Sequence, residues 1–98
     1  MSPETFVSVV SPSLLRIRFW DEHCVVYDTA SSTTHLIEQH AGLLLEWVCQ
    51  SEVSIASLSD RLASLVSSEK QEDVQRYVLG SVKNLNELGL LNIDEMPD

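Results

Sequence analysis

Five side chains in this chain have types suited to metal binding or nucleophilic chemistry: His23, Cys24, His35, His40 and Cys49. Their spacing contains no C-x-x-C pair and no H-E-x-x-H helix, and zinc sites generally use such close local pairs. We therefore predict no metal and no cofactor. The cysteines are interpreted as small buried hydrophobic residues, and the histidines as surface or helix-capping residues.

Covalent or phosphate chemistry finds equally little support. A cysteine nucleophile needs a site that stabilises its thiolate and a base held by a third group, and no spacing here indicates one. Gly42, Gly80 and Gly89 are isolated, so no glycine-rich loop is available to hold a phosphate. The sequence predicts a protein that is not an enzyme.

Charge and length restrict the partners. The 98 residues suit one domain, and fifteen acidic against six basic residues give a formal net charge of −9. Such a chain repels phosphate backbones, so we expect neutral or basic partners and no nucleic acid. No apolar run is long enough for a membrane span, residues 1–10 lack the basic start of a signal peptide, and two cysteines suit a reducing cytoplasm.

Three short strands are predicted before the middle of the chain. Residues 14–20 alternate apolar side chains with Arg16 and Arg18, which is typical of a half-buried strand. Residues 24–27 follow a short polar break and predict the second strand of an antiparallel hairpin. Residues 33–37 predict a third strand after a turn.

Three helices follow. Ala41, Leu44, Leu45 and Val48 have helical spacing, and Ser54 is a good N-cap for a second helix. Its predicted buried stripe consists of Ile55, Leu58, Leu62 and Leu65. The third and longest helix is predicted over residues 70–88, with Gly89 as its C-cap.

The order of these elements predicts an α+β fold: a small three-stranded antiparallel sheet followed by three helices, winged-helix-like. Residues 90–93 are expected to add a short wing-like strand. The predicted organisation is an N-terminal arm at residues 1–13 that could form an extra strand, a domain at 14–93 and an acidic tail at 94–98.

The third predicted strand is the most informative place for function. Residues 33–37 contain no proline and no charged side chain, although such residues usually protect an exposed sheet edge. An extended peptide could therefore pair there by β-strand addition. The alternative is that residues 6–10, which also alternate, cover an edge of the sheet. Arg16 and Arg18 are interpreted as a solvent-facing pair, or as a contact for an acidic partner peptide.

Two other function classes stay open. A winged-helix DNA-binding regulator would use polar residues of the third helix, here Gln71, Gln75, Arg76, Lys83 and Asn84, but acidic neighbours and the net charge favour an ordinary solvated face. A structural protein–protein interaction module is the third class.

Three stretches resemble the PqqD-like family, the peptide-recognition element of pathways that modify ribosomally made peptides. They are residues 15–22 (LRIRFWDE), residues 26–45 with the strand, the THL strand and the apolar AGLLL helix, and residues 85–91 (LNELGLL). The Thr34-His35-Leu36 form most resembles PqqD-like peptide chaperones encoded beside an HPr-kinase-related protein in some bacterial gene cassettes. One departure is Glu38, where the family often has an asparagine cap.

This resemblance implies a peptide chaperone that binds the leader of a precursor peptide as an added strand and presents it to a separate modifying enzyme in the bacterial cytoplasm. The implied backbone contacts are Thr33, Thr34, His35, Leu36 and Ile37. The implied apolar wall on the third helix is Val74, Tyr77, Val78 and Val82. An open edge strand also makes a homodimer plausible.

Overall fold

The computed structural model describes residues 4–9, 14–66 and 70–94. This part of the chain forms six strands in two antiparallel sheets and three helices, which confirms the predicted α+β class. The elements are β1 (Phe6–Val9), β2 (Leu15–Trp20), β3 (His23–Asp28), β4 (Thr33–Glu38), α1 (Gln39–Gln50), β5 (Val53–Ser54), α2 (Ile55–Leu65), α3 (Gln71–Glu87) and β6 (Leu91–Asp94). Residues 1–3, 10–13 and 95–98 of the predicted arm and tail lie outside the described residues, so the domain boundaries stay a prediction.

The predicted meander forms the first sheet, in the order β2-β3-β4. Trp20 pairs with His23 and Cys24 pairs with Ile37, so neighbouring strands align over their whole length. Alternation follows from this pairing: Cys24, Val26 and Ile37 are buried on the face that packs against α1. The opposite face is turned to solvent.

The second sheet has the order β5-β1-β6, with β1 in the centre. Val7 pairs with Val53 on one side and with Ile93 on the other. Val7 and Val9 are buried, because this sheet closes the core beside α1. The alternative that the N-terminal segment covers an edge of the first sheet is therefore wrong for residues 6–9, and Val10 lies outside the described residues. The strand expected at residues 90–93 is β6.

Local signals explain where the helices begin and end. The Ser54 hydroxyl accepts a hydrogen bond from the Ser57 N–H at 3.1 Å, as expected of an N-cap. At the end of α3, Gly89 adopts a φ of 81°. The Leu90 N–H then donates to the Leu85 carbonyl and the Gly89 N–H to the Asn86 carbonyl, both at 3.0 Å, which is a Schellman motif.

The core lies between the sheets and the helices, with α1 packed against both sheets and against α2 and α3. Its buried apolar side chains include Leu44, Leu45, Ile55, Leu58, Val78, Val82, Leu85, Leu90 and Leu91. One predicted core residue is corrected: Leu65 is 60% exposed, because it is the last residue of α2 and extends beyond the helices that cover Leu62. No helix among the described residues is long and apolar enough to span a membrane.

Candidate functional site

The free edge of β4 is the first component of the candidate site. β4 pairs with β3 on one side, and no described strand pairs with it on the other. It is six residues long and contains no proline. The strand therefore has both the length and the backbone chemistry needed to accept a further strand.

The register identifies which backbone groups of β4 point outward. The Gln39 N–H donates to the Glu22 carbonyl at 3.1 Å, so this pair is one of the hydrogen-bonded pairs of the ladder. Hydrogen-bonded and non-hydrogen-bonded pairs alternate along an antiparallel ladder. Consequently Thr34 and Leu36 direct their N–H and C=O groups away from β3, toward the open side, and Glu38 directs its N–H there. The Glu38 carbonyl belongs to α1, because Glu38 is the N-cap of that helix.

A groove runs between this edge and α3. It has a volume of about 560 Å³. One wall is formed by Leu36, Ile37 and Glu38 of β4 with Ala41 of α1, and the other, along α3 and its C-cap, by Arg76, Tyr77, Gly80, Ser81, Asn84 and Leu88. Leu36 is 68% exposed and Leu88 is 38% exposed, so each wall of the groove presents apolar surface to solvent. The groove is thus an open, mostly apolar channel beside unpaired backbone groups.

Tyr77 and Glu38 connect the two walls of the groove. The Tyr77 hydroxyl donates to the Glu38 carboxylate at 3.0 Å. Burial raises the pKa of Tyr77 to about 12, and the negative charge and hydrogen bond of Glu38 act in the same direction, so the hydroxyl stays protonated at neutral pH. This hydrogen bond fixes the spacing of strand and helix at one end of the groove.

The structure places the predicted strand residues at the edge but divides the predicted helix wall. Thr33, Thr34, His35, Leu36 and Ile37 all belong to β4. Val78 and Val82 are fully buried in the core, and Val74 is 3% exposed. Of the four predicted wall residues, Tyr77 alone lines the groove. The apolar stripe of α3 serves the core because α3 also covers α1, α2 and β6.

The groove wall is instead a second stripe of the same helix, which sequence reasoning missed. Arg76, Gly80, Ser81, Asn84 and Leu88 recur at helical spacing, one or two positions before residues of the buried stripe or just after its end. Two of them, Arg76 and Asn84, were considered for DNA contacts. Gly80 carried the available signal, since a glycine inside a helix costs about 0.5–1 kcal/mol and usually has a packing or functional reason.

A smaller cavity of about 290 Å³ lies beyond Tyr77, between all three helices. It is lined by His40, Leu62, Val66, Asp73, Val74 and Tyr77. The edge of the Tyr77 ring meets the His40 ring, with 6.3 Å between ring centroids. Tyr77 therefore borders both the groove and this cavity.

The cysteines and histidines are dispersed. Cys24 is buried against α1, Cys49 is half-buried, and His23 and His40 are exposed. Burial, with the Glu46 carboxylate as a second cause, raises the pKa of both thiols, which disfavours the thiolate. Within the described ranges, no group of three or more histidine, cysteine, aspartate or glutamate side chains could hold a metal ion.

Comparison with known proteins bears on the fold alone. No family model matches the sequence, and no curated protein matches it. A solved structure of lasso peptide synthetase B1 complexed with the leader peptide has a similar fold, with a TM-score of 0.62 and 18% sequence identity. The similarity covers 88% of this chain and 96% of that chain, so most of this chain shares its fold with that structure.

Proposed function

We propose that this protein is a peptide-binding chaperone that captures the leader of a ribosomally made precursor as an added β-strand along β4. The observation that carries this proposal is the outward-facing backbone of Thr34, Leu36 and Glu38 beside an open groove. The fold shared with lasso peptide synthetase B1, a protein solved in complex with the leader peptide, supports it. The resemblance of three sequence stretches to PqqD-like chaperones supports the same class.

In strand addition, both backbone hydrogen bonds and side-chain contacts contribute to recognition of the guest. Three outward residues supply ladder hydrogen bonds, each contributing about 0.5–1.5 kcal/mol net, and these bonds tolerate many guest sequences. Alternate guest side chains then meet the groove, where Leu36, Ala41 and Leu88 favour apolar groups. Gly80 leaves room for them, because no atom beyond the adjacent residues and backbone of its own helix lies within 4 Å of a Cβ built at this position.

Affinity for an isolated guest is expected to be modest. A flexible leader must be ordered when it binds, and this entropy loss offsets much of the gain from a short ladder. Micromolar or weaker binding suits presentation, because the guest must later be released to a separate modifying enzyme. The chaperone would act by raising the local concentration of the guest at that enzyme, with no catalysis of its own.

Amide chemical shifts test the proposal directly. Synthetic peptides covering the N-terminal parts of short reading frames that flank this gene are titrated into the ¹⁵N-labelled protein. We expect the largest changes at Thr34, Leu36 and Glu38 and along the groove stripe of α3. Unchanged β4 amides at millimolar peptide, or changes confined to other elements, would contradict strand addition.

A further inference from the structure

The face of the first sheet that is turned away from α1 carries an unusual set of side chains. The register places them in three rows across the strands: Arg16 with Tyr27 and Thr34, Arg18 with Val25 and Leu36, and Trp20 with His23 and Glu38. We call these nine residues the outer face. The other side of the sheet holds Cys24 and Val26 in the core. Among the described residues, Glu38 is the one outer-face residue whose side chain hydrogen-bonds to another element, through the Tyr77 hydroxyl of α3.

Large apolar side chains are exposed on the outer face. Trp20 is 64% exposed, Leu36 is 68% exposed and Tyr27 is 39% exposed. The solvent face of an antiparallel sheet normally presents polar residues. A contiguous apolar patch on a small protein commonly marks an interaction surface.

Two unpaired cations flank this apolar patch. Arg16 and Arg18 lie two residues apart on β2, on the same side of the sheet, and both are exposed. In the described part of the chain, neither forms an ion pair or a cation–π contact, whereas Arg61 lies over the Trp47 ring at 4.9 Å. Two free guanidinium groups are a notable feature in a chain with a net charge of −9.

The composition fits a protein partner better than other occupants. Tryptophan, tyrosine and arginine are the residues most enriched at binding hot spots between proteins. Nucleic acid and anionic membranes present dense, extended negative charge, which the net charge of −9 repels, whereas a short acidic segment needs to place only two carboxylates at the local pair Arg16 and Arg18. A guest paired along β4 lies about 15 Å from β2, three strand spacings away, so it does not reach the two arginines.

A second copy of the chain does not satisfy the charges. Stacking two outer faces about an axis across the strands brings Arg18 onto Arg18, and stacking about an axis along β3 brings Arg18 onto Leu36. Neither arrangement supplies a carboxylate to the arginines. The Glu38 carboxylate is turned to Tyr77, and Asp21 and Glu22 lie in the turn at the Trp20 end, away from Arg16.

We propose that the outer face docks an acidic segment of a partner protein, with carboxylates on Arg16 and Arg18 and an apolar side chain against Trp20, Val25 and Leu36. The three rows span about 15 by 20 Å, which is smaller than the roughly 800 Å² per partner of a stable interface. The contact is therefore weak and short-lived, as delivery of a cargo requires. It shares Leu36 with the β4 groove but depends mainly on Arg16, Arg18 and Trp20 of β2, which a guest strand on β4 does not reach, so it does not depend on guest capture.

A designed probe tests this surface. A short synthetic peptide that alternates glutamate with leucine and tryptophan is titrated into the ¹⁵N-labelled full chain, and the same peptide with lysine replacing glutamate serves as the ligand control. We expect shifts at Arg16, Arg18 and Val25 with the acidic peptide, and binding that weakens at least about fivefold between low and high salt. Equal binding of both peptides overturns the proposal.

A charge-reversed pair of variants locates the contact. The double variant Arg16→Glu and Arg18→Glu is expected to bind the acidic peptide at least about tenfold more weakly. Lys70→Glu with Lys83→Glu makes the same change in net charge on α3 and at its N-cap, and is expected to bind as the wild type does. Equal loss in both double variants reduces the effect to net charge and overturns the proposal. Arg16→Gln with Arg18→Gln provides a milder test if charge reversal disturbs folding.

Two further measurements exclude the other occupants. Binding of wild-type protein to phosphatidylglycerol vesicles through the same residues, or dimerisation abolished by the arginine variant, would each overturn the proposal. Guest binding at β4 by the arginine variant is expected to match the wild type. These measurements thus test docking at the outer face and guest binding along β4 independently of each other.

Discussion

Two helices meet the first sheet in opposite ways. α1 lies so close to it that a Cβ on Gly42 would stand 2.5 Å from the Cys24 Sγ and 3.0 Å from the Phe19 ring. α3 stands away from the β4 edge, and a Cβ on Gly80 would meet no atom within 4 Å beyond the adjacent residues and backbone of α3 itself. The same residue type thus marks the tightest contact of one helix and the open side of the other.

The difference shows how a small fold keeps a sheet edge available. Close packing of α1 fixes the sheet, and α3 is held by the core through Val78, Val82 and Leu85. Each wall of the groove is therefore attached to the core. A binding groove in a protein this small depends on rigid contacts elsewhere.

The largest expected effect is on stability at the tight contact. Gly42→Ala forces a methyl group into the Cys24 side chain, and we expect unfolding free energy to fall by about 2 kcal/mol, or Tm by about 10 °C. Gly80→Ala is the matched control and is expected to raise stability by about 0.5–1 kcal/mol, since alanine favours the helix. Thermal unfolding of both variants shows whether each substitution raises or lowers Tm. Changes in the same direction would contradict the contrast between the tight contact at Gly42 and the open position at Gly80.

A larger side chain at Gly80 should weaken guest binding in the groove without unfolding the protein. Gly80→Leu places a side chain in the groove, and we expect affinity for a leader peptide to fall at least about tenfold while Tm is maintained. Lys83→Leu puts the same side chain on the same helix outside the groove residues and should leave affinity unchanged. Full affinity in the Gly80 variant would show that the guest does not use the groove.

Two substitutions of Leu36 distinguish how much its backbone N–H and its side chain each contribute to guest affinity. Leu36→Pro removes an outward N–H, which an edge strand tolerates, and we expect guest affinity to fall about tenfold. Leu36→Ala retains that N–H, so its loss should be smaller, about threefold. Isothermal titration calorimetry compares the two, and equal losses would assign recognition to the side chain instead of the ladder.

The smallest effect concerns the Tyr77–Glu38 hydrogen bond. The pKa of Tyr77 is raised from 10.0 to about 12. The contribution of the protonated Tyr77 hydroxyl to the free energy of unfolding is therefore complete below pH 10 and is lost as the pH rises toward 12. Tyr77→Phe removes the bond, and should lower stability by about 0.5–1 kcal/mol at pH 8. Urea unfolding from pH 8 to about 11.5 should show wild type and variant converging with rising pH. A constant difference would mean that the hydroxyl does not titrate in this contact.

Periodicity predicted the local structure well because it reports burial. Alternation around Arg16 and Arg18 located β2, and the spacing of Leu44, Leu45 and Val48 located α1. Gly89 was correctly placed at the C-cap, since few other residues adopt a positive φ without strain. These features depend on neighbours in sequence.

Features that depend on distant neighbours were not predictable in the same way. Nothing local to β1 states that its partners are β5 and β6, and periodicity left its pairing open. The third helix was predicted from its sequence, but which of its sides faces the groove depends on the position of β4. Val78 and Val82 were therefore assigned to the wall while Ser81 and Asn84 were missed.

The pairing of β1 with β6 also has a consequence for how the protein folds. Phe6 lies opposite Asp94, and β6 is joined to the end of α3 by the Schellman motif and by the Asn86 side-chain amide, which donates to the Leu91 carbonyl at 2.8 Å. This long-range pairing is among the slowest kinds of contact to form, because a long loop must close first. During synthesis, we expect α3 to gain its β6 contacts only after β6 has left the ribosome, so the nascent meander should pass through a stage with an edge but no completed groove.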